Sequence, residues 1–319
     1  MKAFVTGASG QDGYFLLELL LSYSYEVVAI TSREDAVGVL ANRFPDPRFS
    51  AEAIDFCRPG AIEQPIIDHW PDMIFNLAAL ATGSGMFANP RLMSRINGEF
   101  VLDILEVART KHPKLRICQA SSAEMFGDTD TETQDEQTCF RPKSPYGAAK
   151  TYAHNLIGIY RSAFDIHCSS AILFNHESIR RPDTFVTRKI AKTAAKIKLG
   201  LSDSLSLASL DSVRDWGFAP EYVNAMFLMA SNDIAEDFVV ATGRHTSLRS
   251  LCEIAFGYLN LDYQDYVRLD SSLVRTIETR ALKGSPDRIF RDLGWQAETS
   301  IADVIRMMVD ADLKELSEK

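Results

Sequence analysis

Short apolar runs alternate with longer stretches of helical periodicity through the first half of the chain. Four apolar runs predict strands, at residues 2–6, 26–30, 73–77 and 115–120. Apolar positions three and four residues apart predict helices, at residues 14–21, 100–109 and 146–163. This alternation predicts an α/β fold with a doubly wound parallel sheet, in which ligands bind beyond the carboxyl ends of the strands.

A glycine-rich turn joins the first predicted strand to the first predicted helix. Its spacing is Gly-x-x-Gly-x-x-Gly and not the Gly-x-Gly-x-x-Gly of many dinucleotide sites, so an ordinary glycine turn is the alternative. Glycines let the backbone approach a pyrophosphate, and a helix N-terminus presents unpaired amides and a partial positive charge. We therefore predict a dinucleotide site that includes Gly7, Ser9, Gly10, Gln11, Asp12 and Gly13.

Arg33 follows the second predicted strand, where an NAD enzyme would have an acidic residue for the ribose hydroxyls. An arginine suits the 2′-phosphate of NADP, so the sequence favours NADP as the cofactor. Glu34 and Asp35 lie only one and two positions further on and keep NAD open. A solvated surface arginine is the alternative for Arg33.

Tyr146 and Lys150 lie four residues apart on the long predicted helix, and therefore on one face about one turn apart. We expect the Lys150 ammonium to favour the Tyr146 phenolate, so that a phenol of pKa ~10 becomes a usable base. The spacing alone is usually a solvated helix face. The glycine-rich turn upstream gives it weight and indicates nicotinamide redox chemistry.

Two further candidates follow the strand predicted at residues 115–120. Ser122 is placed to hydrogen-bond a sugar hydroxyl beside Tyr146. Glu124 has no part in simple hydride transfer, but a carboxylate is what proton removal from a carbon beside a transient ketone requires. A surface glutamate in a loop is the alternative for Glu124.

The composition is that of a soluble enzyme. The 319 residues are 46% hydrophobic with a net charge of −9 and a sequence pI near 5.3, and no basic patch predicts nucleic-acid binding. No stretch approaches ~20 consecutive apolar residues and the N-terminal apolar residues are strand-like, so we expect no membrane span, no signal peptide and a cytoplasmic location. The five scattered cysteines predict free thiols. His176 and Glu177 are adjacent and cannot share a face, so no metal site is predicted.

Seven strings carry a family resemblance, at residues 6–13, 119–127, 141–150, 172–178, 185–190, 214–217 and 239–243. The Phe-Asn-His-Glu-Ser string at 174–178 and the Arg-Asp-Trp-Gly string at 214–217 are far more specific than the glycine motif. Together they resemble the GDP-mannose 4,6-dehydratase family of extended short-chain dehydrogenases/reductases over nearly the whole chain. The resemblance implies a Rossmann-type NADP-binding domain at 1–174, rejoined by about 212–240. Residues 175–211 and 241–319 would form a smaller, mixed nucleotide-sugar-binding domain.

The resemblance also implies a role for each catalytic candidate. Tyr146 would take the C4 hydroxyl proton of a GDP-sugar while NADP⁺ accepts the C4 hydride, with Ser122 polarising the same oxygen and Lys150 holding the cofactor ribose. Glu124 would then remove the C5 proton, the C6 hydroxyl would leave as water, and the hydride would return to C6. The predicted cofactor site also includes Asp55, Phe56, Leu77, Ala78 and Ala79. The predicted grip on the nucleotide consists of Asn175, Lys189, Arg214, Arg275 and Glu278.

Two departures from the family pattern keep alternatives open. Residues 80–87 differ from the family's sugar-facing wall, and Thr82 and Ser84 there predict substrate contacts that suit mannose or a larger GDP-manno-heptose. The loop after Arg33 looks shorter than the family segment that joins subunits, so a homodimer and a homotetramer both stay open. A nucleotide-sugar reductase or epimerase is the alternative activity. A non-catalytic NADP-binding regulator is disfavoured because every expected catalytic residue type is present.

Overall fold

The computed structural model describes residues 1–81, 87–273 and 282–318. In chain order, the strands are β1 (Lys2–Thr6), β2 (Glu26–Thr31), β3 (Phe49–Ala53), β4 (Met73–Asn76), β5 (Arg116–Ser122), β6 (Cys168–Leu173), β7 (Asn175–Glu177), β8 (Leu205–Leu207), β9 (Val213–Arg214), β10 (Trp216–Phe218), β11 (Phe238–Val240), β12 (Thr246–Ser247) and β13 (Val267–Leu269). The α-helices are α1 (Gln11–Ser22), α2 (Glu34–Arg43), α3 (Glu63–His69), α4 (Pro90–Ser94), α5 (Phe100–Thr110), α6 (Pro145–Phe164), α7 (Val186–Lys198), α8 (Ala219–Ser231), α9 (Leu248–Tyr258), α10 (Tyr263–Tyr266), α11 (Asp287–Leu293) and α12 (Ile301–Ser317). A π-helical turn at Arg95–Glu99 joins α4 to α5, and 3₁₀ turns lie at Ala123–Met125 and Ser271–Leu273.

Seven strands form one parallel sheet in the order β11-β6-β5-β4-β1-β2-β3. The chain runs outwards from β1 to β3, returns to β4 beside β1, and continues through β5 and β6 in the other direction. The strand order therefore reverses between β1 and β4, where ligands bind in such sheets. The predicted doubly wound, Rossmann-type fold is confirmed.

Helices cover both faces of this sheet. One apolar cluster packs α1 and α8 against one face, with Leu17 and Met226 fully buried. A second cluster packs α5 and α6 against the other face, with Ile104 and Ile157 buried. Burial on both faces is why the central strands appear in the sequence as continuous apolar runs.

A third apolar cluster lies beside the sheet and is built from α7, α9 and α12 around residues such as Leu251 and Ile305. Three small strand pairs accompany it, β7–β10, β8–β13 and β9–β12. In the part of the chain that the structure describes, no helix is both long enough and apolar enough to cross a bilayer. All five cysteines are free thiols, as predicted, and Cys118, Cys168 and Cys252 are buried.

The β7–β10 pair brings two distant sequence strings together. Asn175 pairs with Trp216 and His176 with Gly217. Asp215, fully buried just before β10, accepts hydrogen bonds from the backbone N–H groups of Thr242 and Gly243, at 3.0 and 2.9 Å. Because β7 begins two residues after β6 ends, these strings converge beyond the carboxyl end of the sheet.

Candidate active site

The glycine-rich turn lies at the reversal point of the sheet and is shaped for close backbone approach. Gly7 has φ +66°, and a Cβ there would lie 2.7 Å from the backbone of Leu77. A Cβ on Gly13 would lie 2.6 Å from the Gly7 carbonyl oxygen, so the third glycine lets α1 pack on the turn. Helix α1 begins at Gln11, and the residue before it, Gly10, has no side chain that could cap the helix. The first amides of α1 thus face the crevice without a capping side chain.

The side chains of Gln11 and Asp12 tie this turn to β7. The Gln11 amide donates to the His176 carbonyl at 3.1 Å and accepts from the Ser178 hydroxyl at 2.8 Å. An Asp12 carboxylate oxygen lies 2.9 Å from His176 Nε2. The structure therefore uses these two predicted cofactor residues as a link between the turn and the Asn175–Glu177 strand.

His176 is a member of the site that the sequence argument did not identify. Its Nδ1 lies 2.7 Å from the Phe174 carbonyl, which can only accept, while Nε2 meets the Asp12 carboxylate, so both ring nitrogens donate. Burial acts to lower the pKa of His176, but the charge and hydrogen bond of Asp12 outweigh it and raise that pKa. His176 and Asp12 therefore form a charged pair beneath the crevice.

The start of α6 brings the catalytic candidates together. The Ser144 hydroxyl accepts from the Gly147 N–H at 3.0 Å and Pro145 occupies the first turn, a sequence that starts a helix. A Cβ on Gly147 would lie 2.6 Å from the Glu124 carbonyl oxygen, so glycine permits α6 to contact the 3₁₀ turn. The Ser122 hydroxyl accepts from the Glu124 N–H at 3.2 Å and acts to lower the pKa of the Tyr146 phenol.

Burial governs the pKa of Tyr146. It raises that pKa to about 12, against the effect of Ser122, while the Glu124 charge raises it further and the Arg181 charge lowers it. Lys150 is itself buried, which lowers its pKa to about 8. Its ammonium donates to the Ala120 carbonyl at 2.7 Å and lies 5.8 Å from the centre of the Tyr146 ring. The predicted support of the Tyr146 phenolate by Lys150 stays a prediction.

Arg181 is a second residue that the sequence argument missed. Its charge lowers the pKa of both Tyr146 and Asp12, so it acts on the phenol and on the turn link. Its Nε lies 3.0 Å from a Glu177 carboxylate oxygen. The one sequence signal was its place three residues after the specific Asn175–Ser178 string.

The remaining predicted cofactor residues lie in different environments. Arg33 lies at the start of α2 and forms a two-pronged ion pair with Asp35, at 3.2 and 2.5 Å. Asp55 accepts from the Cys57 N–H at 2.8 Å, and Phe56 is buried in the apolar cluster under the sheet. The backbone of Leu77 and Ala78 packs on Gly7, and Ala79 follows as an exposed residue. Ser9 lies 3.0 Å from the Thr31 hydroxyl, next to Arg33.

The predicted substrate residues are placed in part. Asn175 lies in β7. The Lys189 ammonium donates to the Ser206 carbonyl at 2.6 Å, and the Arg214 guanidinium donates to the Val213 carbonyl at 2.7 Å. Thr82, Ser84, Arg275 and Glu278 lie outside the described residues. Among the residues that the structure describes, no group of three or more His, Cys, Asp or Glu side chains is arranged to hold a metal ion.

Comparison with known proteins agrees with this arrangement. A family model for GDP-mannose 4,6 dehydratase matches residues 4–308. GDP-mannose 4,6 dehydratase 1 of Arabidopsis thaliana is 36% identical over 324 residues, covering 98% of this chain and 90% of the relative, and the human GDP-mannose 4,6 dehydratase is 33% identical, covering 98% and 91%. The crystal structure of dTDP-glucose 4,6-dehydratase from Bacillus anthracis, in complex with NAD, shares the fold with a TM-score of 0.86 at 16% identity, covering 99% of this chain and 98% of that one. The chain therefore belongs to the GDP-mannose 4,6-dehydratase family.

Proposed function

We propose that this protein is a GDP-sugar 4,6-dehydratase whose default substrate is GDP-mannose. The observation that carries the proposal is the position of Glu124. Its 3₁₀ turn lies against the first turn of α6 because Gly147 has no side chain, and the charge of the Glu124 carboxylate acts on the Tyr146 phenol. Dehydration needs this extra base, whereas simple hydride transfer by a reductase does not; an epimerase that inverts C5 would also need it but would not release water.

The crevice fits a nicotinamide dinucleotide. Glycine at positions 7 and 13 lets the turn pack against the backbone of Leu77 and lets α1 start directly against the turn, and the first amides of α1, which no side chain caps, suit a pyrophosphate. When bound, the cofactor supplies a hydride acceptor for C4 and a hydride donor for C6. Lys150 has two N–H donors besides the one it gives to Ala120, and these suit the ribose hydroxyls. Arg33 supports NADP over NAD.

The residues of the chain then divide the proton chemistry. Tyr146 takes the C4 hydroxyl proton, and Ser122 hydrogen-bonds the same oxygen. Since burial disfavours the Tyr146 phenolate, the Ser122 hydrogen bond and the Arg181 charge are the groups of the chain that make it accessible. Glu124 removes the C5 proton once C4 is a ketone, and the C6 hydroxyl leaves as water.

The nucleotide diphosphate would lie along the Asn175–Glu177 side of the crevice. The Lys189 ammonium donates to the Ser206 carbonyl and has two further N–H groups that suit phosphate oxygens, and the Arg214 guanidinium brings a second positive charge to this side. Contacts from Thr82, Ser84, Arg275 and Glu278 stay a prediction. So do the division into domains at 174, 212 and 240, the cytoplasmic location, and a homodimer or homotetramer.

Product mass analysis tests the proposal most directly. Incubation with GDP-mannose in deuterated water should give a product that has lost one water and carries deuterium at C5, without any added reductant. A product that carries deuterium at C5 but has lost no water would identify an epimerase, and a need for stoichiometric reduced cofactor would identify a reductase. A parallel measurement of kcat/KM for GDP-mannose and a GDP-manno-heptose decides between the two sugars.

A further inference from the structure

A chain of buried hydrogen bonds crosses the carboxyl edge of the sheet from β1 to α6. The Thr6 hydroxyl donates to the Asn76 carbonyl oxygen at 2.6 Å, and the Asn76 amide donates to the Gln119 carbonyl oxygen at 2.7 Å. The Gln119 amide then donates to the Ala120 backbone carbonyl at 2.7 Å. The side chains of Thr6, Asn76 and Gln119 belong to fully buried residues, so these bonds are not exchanged with water.

The direction of this chain is fixed at its last member. The Ala120 carbonyl oxygen can only accept, so Gln119 turns its NH₂ group to Ala120 and its carbonyl oxygen to Asn76. Asn76 then turns its carbonyl oxygen to the Thr6 hydroxyl, which donates to it and accepts from the Ala78 N–H at 3.1 Å. A single orientation of both amides therefore satisfies every bond in the chain.

The chain ends on the carbonyl that also holds Lys150. The β4–β5 ladder stops at the pair Asn76–Gln119, and the carbonyl of the next residue, Ala120, accepts from two side chains. One is Gln119 and the other is the Lys150 ammonium, each at 2.7 Å. A carbonyl oxygen has two lone pairs, so Gln119 occupies one and leaves the ammonium the other.

We propose that Gln119 is a positioning residue for the Lys150 ammonium. Gln119 sets the direction of the ammonium through the Ala120 carbonyl, to which both side chains donate. Through Asn76 and Thr6, Gln119 also links this direction to the glycine-rich turn. The inference rests on the proposed function, because it assumes that Lys150 acts on the cofactor ribose beside Tyr146. It predicts that a change at Gln119 alters hydride transfer only through Lys150.

A double-mutant cycle on the bound cofactor tests this role. The measured quantity is the rate at which the nicotinamide absorbance changes after GDP-mannose is added in a single turnover. Gln119→Met keeps the size of the side chain and removes both hydrogen bonds, and we expect about a tenfold slower rate because the ammonium is misdirected. Lys150→Met should be slower still, and the double variant should be no slower than Lys150→Met alone.

Gln134→Met is the matched control. Gln134 is also fully buried, and both ends of its side-chain amide are hydrogen-bonded. Its NH₂ group donates to the Thr131 carbonyl at 2.5 Å, and its carbonyl oxygen accepts from the Lys283 N–H at 2.8 Å. Neither bond involves Thr6, Asn76, Gln119 or Lys150. The Gln134→Met substitution should lower the midpoint of thermal unfolding and leave the rate of cofactor reduction unchanged. If Gln119→Met does not fold, Thr6→Val removes the donor that orients Asn76 and should show the same non-additivity with Lys150→Met at a smaller amplitude.

The outcomes separate the two hypotheses. Losses that add in the double variant would mean a purely structural role for Gln119 and would overturn the inference while leaving the proposed function intact. An unchanged rate in Lys150→Met would remove the premise and count against the proposed role of Lys150 as well. Non-additivity at position 119, together with an unaffected rate in Gln134→Met, supports the positioning role.

Discussion

Polar groups are satisfied in different ways on the two sides of the crevice. On the cofactor side, the Asn76 and Gln119 amides bond to other buried groups of the protein, and the Lys150 ammonium bonds the Ala120 carbonyl. On the side of the predicted nucleotide grip, the Lys189 ammonium donates to the Ser206 carbonyl and the Arg214 guanidinium to the Val213 carbonyl, and both residues are partly exposed. One side is a buried hydrogen-bond network, and the other presents partly exposed cations.

This contrast follows from what each side must do. Hydride and proton transfer require fixed directions, which buried networks provide because a displaced donor would stay unsatisfied. Gripping a diphosphate requires positive charge at the right place more than a fixed rotamer, and a neutral carbonyl is a weak competitor for an ammonium against a phosphate. Substitutions on the first side should therefore change kcat, and those on the second should change KM.

Tyr146→Phe should produce the largest effect. It removes the group that exchanges the C4 proton while keeping the ring, so we expect kcat to fall about 10²- to 10⁴-fold with little change in cofactor binding. The rate of nicotinamide reduction after substrate addition measures the loss. A variant that keeps a tenth or more of the wild-type rate would contradict the role of Tyr146 and the claim that this side controls kcat.

Glu124→Gln should have the next largest effect and at a later step. The amide cannot take the C5 proton, so C4 oxidation should proceed while water loss slows about 10²- to 10³-fold. Bound cofactor should then stay reduced, and deuterium from the solvent should not enter C5. Undiminished dehydration in this variant would refute the assignment of Glu124, whatever the result at Tyr146.

The sequence was informative where local pattern decides the structure. The strands β1, β2 and β4 are apolar runs because helices bury both faces of the sheet. Glycine is required at positions 7 and 13 because a Cβ at either would lie within 3 Å of backbone atoms. The apolar run predicts that β5 ends at Ala120, but the strand continues to Ser122 because Ser121 and Ser122 pair with Ile172 and Leu173. The residues of a strand do not indicate which strand it pairs with.

Other features depend on contacts between distant segments and could not be predicted. The sheet gains β11, a strand of three residues, through its pairing with β6. Gln11 and Asp12 were assigned to the cofactor from their place in the turn, yet their side chains bond β7, some 165 positions away in sequence. The raised pKa of Tyr146 reflects burial, and helical spacing to Lys150 carries no information on burial.

Lys189→Met tests whether a substitution on the predicted nucleotide side changes KM and not kcat. Loss of a charge-assisted bond to phosphate should raise KM about 10- to 100-fold with kcat within a factor of about three. Lys198→Met is the matched control, because Lys198 lies on the same helix and likewise donates to a backbone carbonyl, that of Leu259 at 3.0 Å. Steady-state kinetics with GDP-mannose measures both. An equal rise in KM for the two variants would mean a general effect of charge and not a phosphate contact.

Asp35→Asn should give the smallest effect, and it tests the one cofactor contact that does not fit the contrast. Arg33 is exposed and paired with Asp35, so it resembles the nucleotide side although it is predicted to bind the cofactor. An exposed ion pair is weak, but Asp35 both occupies the guanidinium and repels a 2′-phosphate. Its removal should therefore lower the dissociation constant of NADP about three- to tenfold and leave that of NAD unchanged.

Cofactor fluorescence titration measures both constants, and Arg33→Ala provides the reference background. That variant should bind NADP about 10- to 100-fold more weakly with little change for NAD. Part of the tighter NADP binding expected for Asp35→Asn comes from releasing Arg33 from its ion pair. Asp35→Asn should therefore lower the dissociation constant of NADP less in the Arg33→Ala background than in the wild type. If NAD and NADP respond alike to both substitutions, Arg33 does not read the 2′-phosphate, and selectivity between the two cofactors must come from other residues at the end of β2.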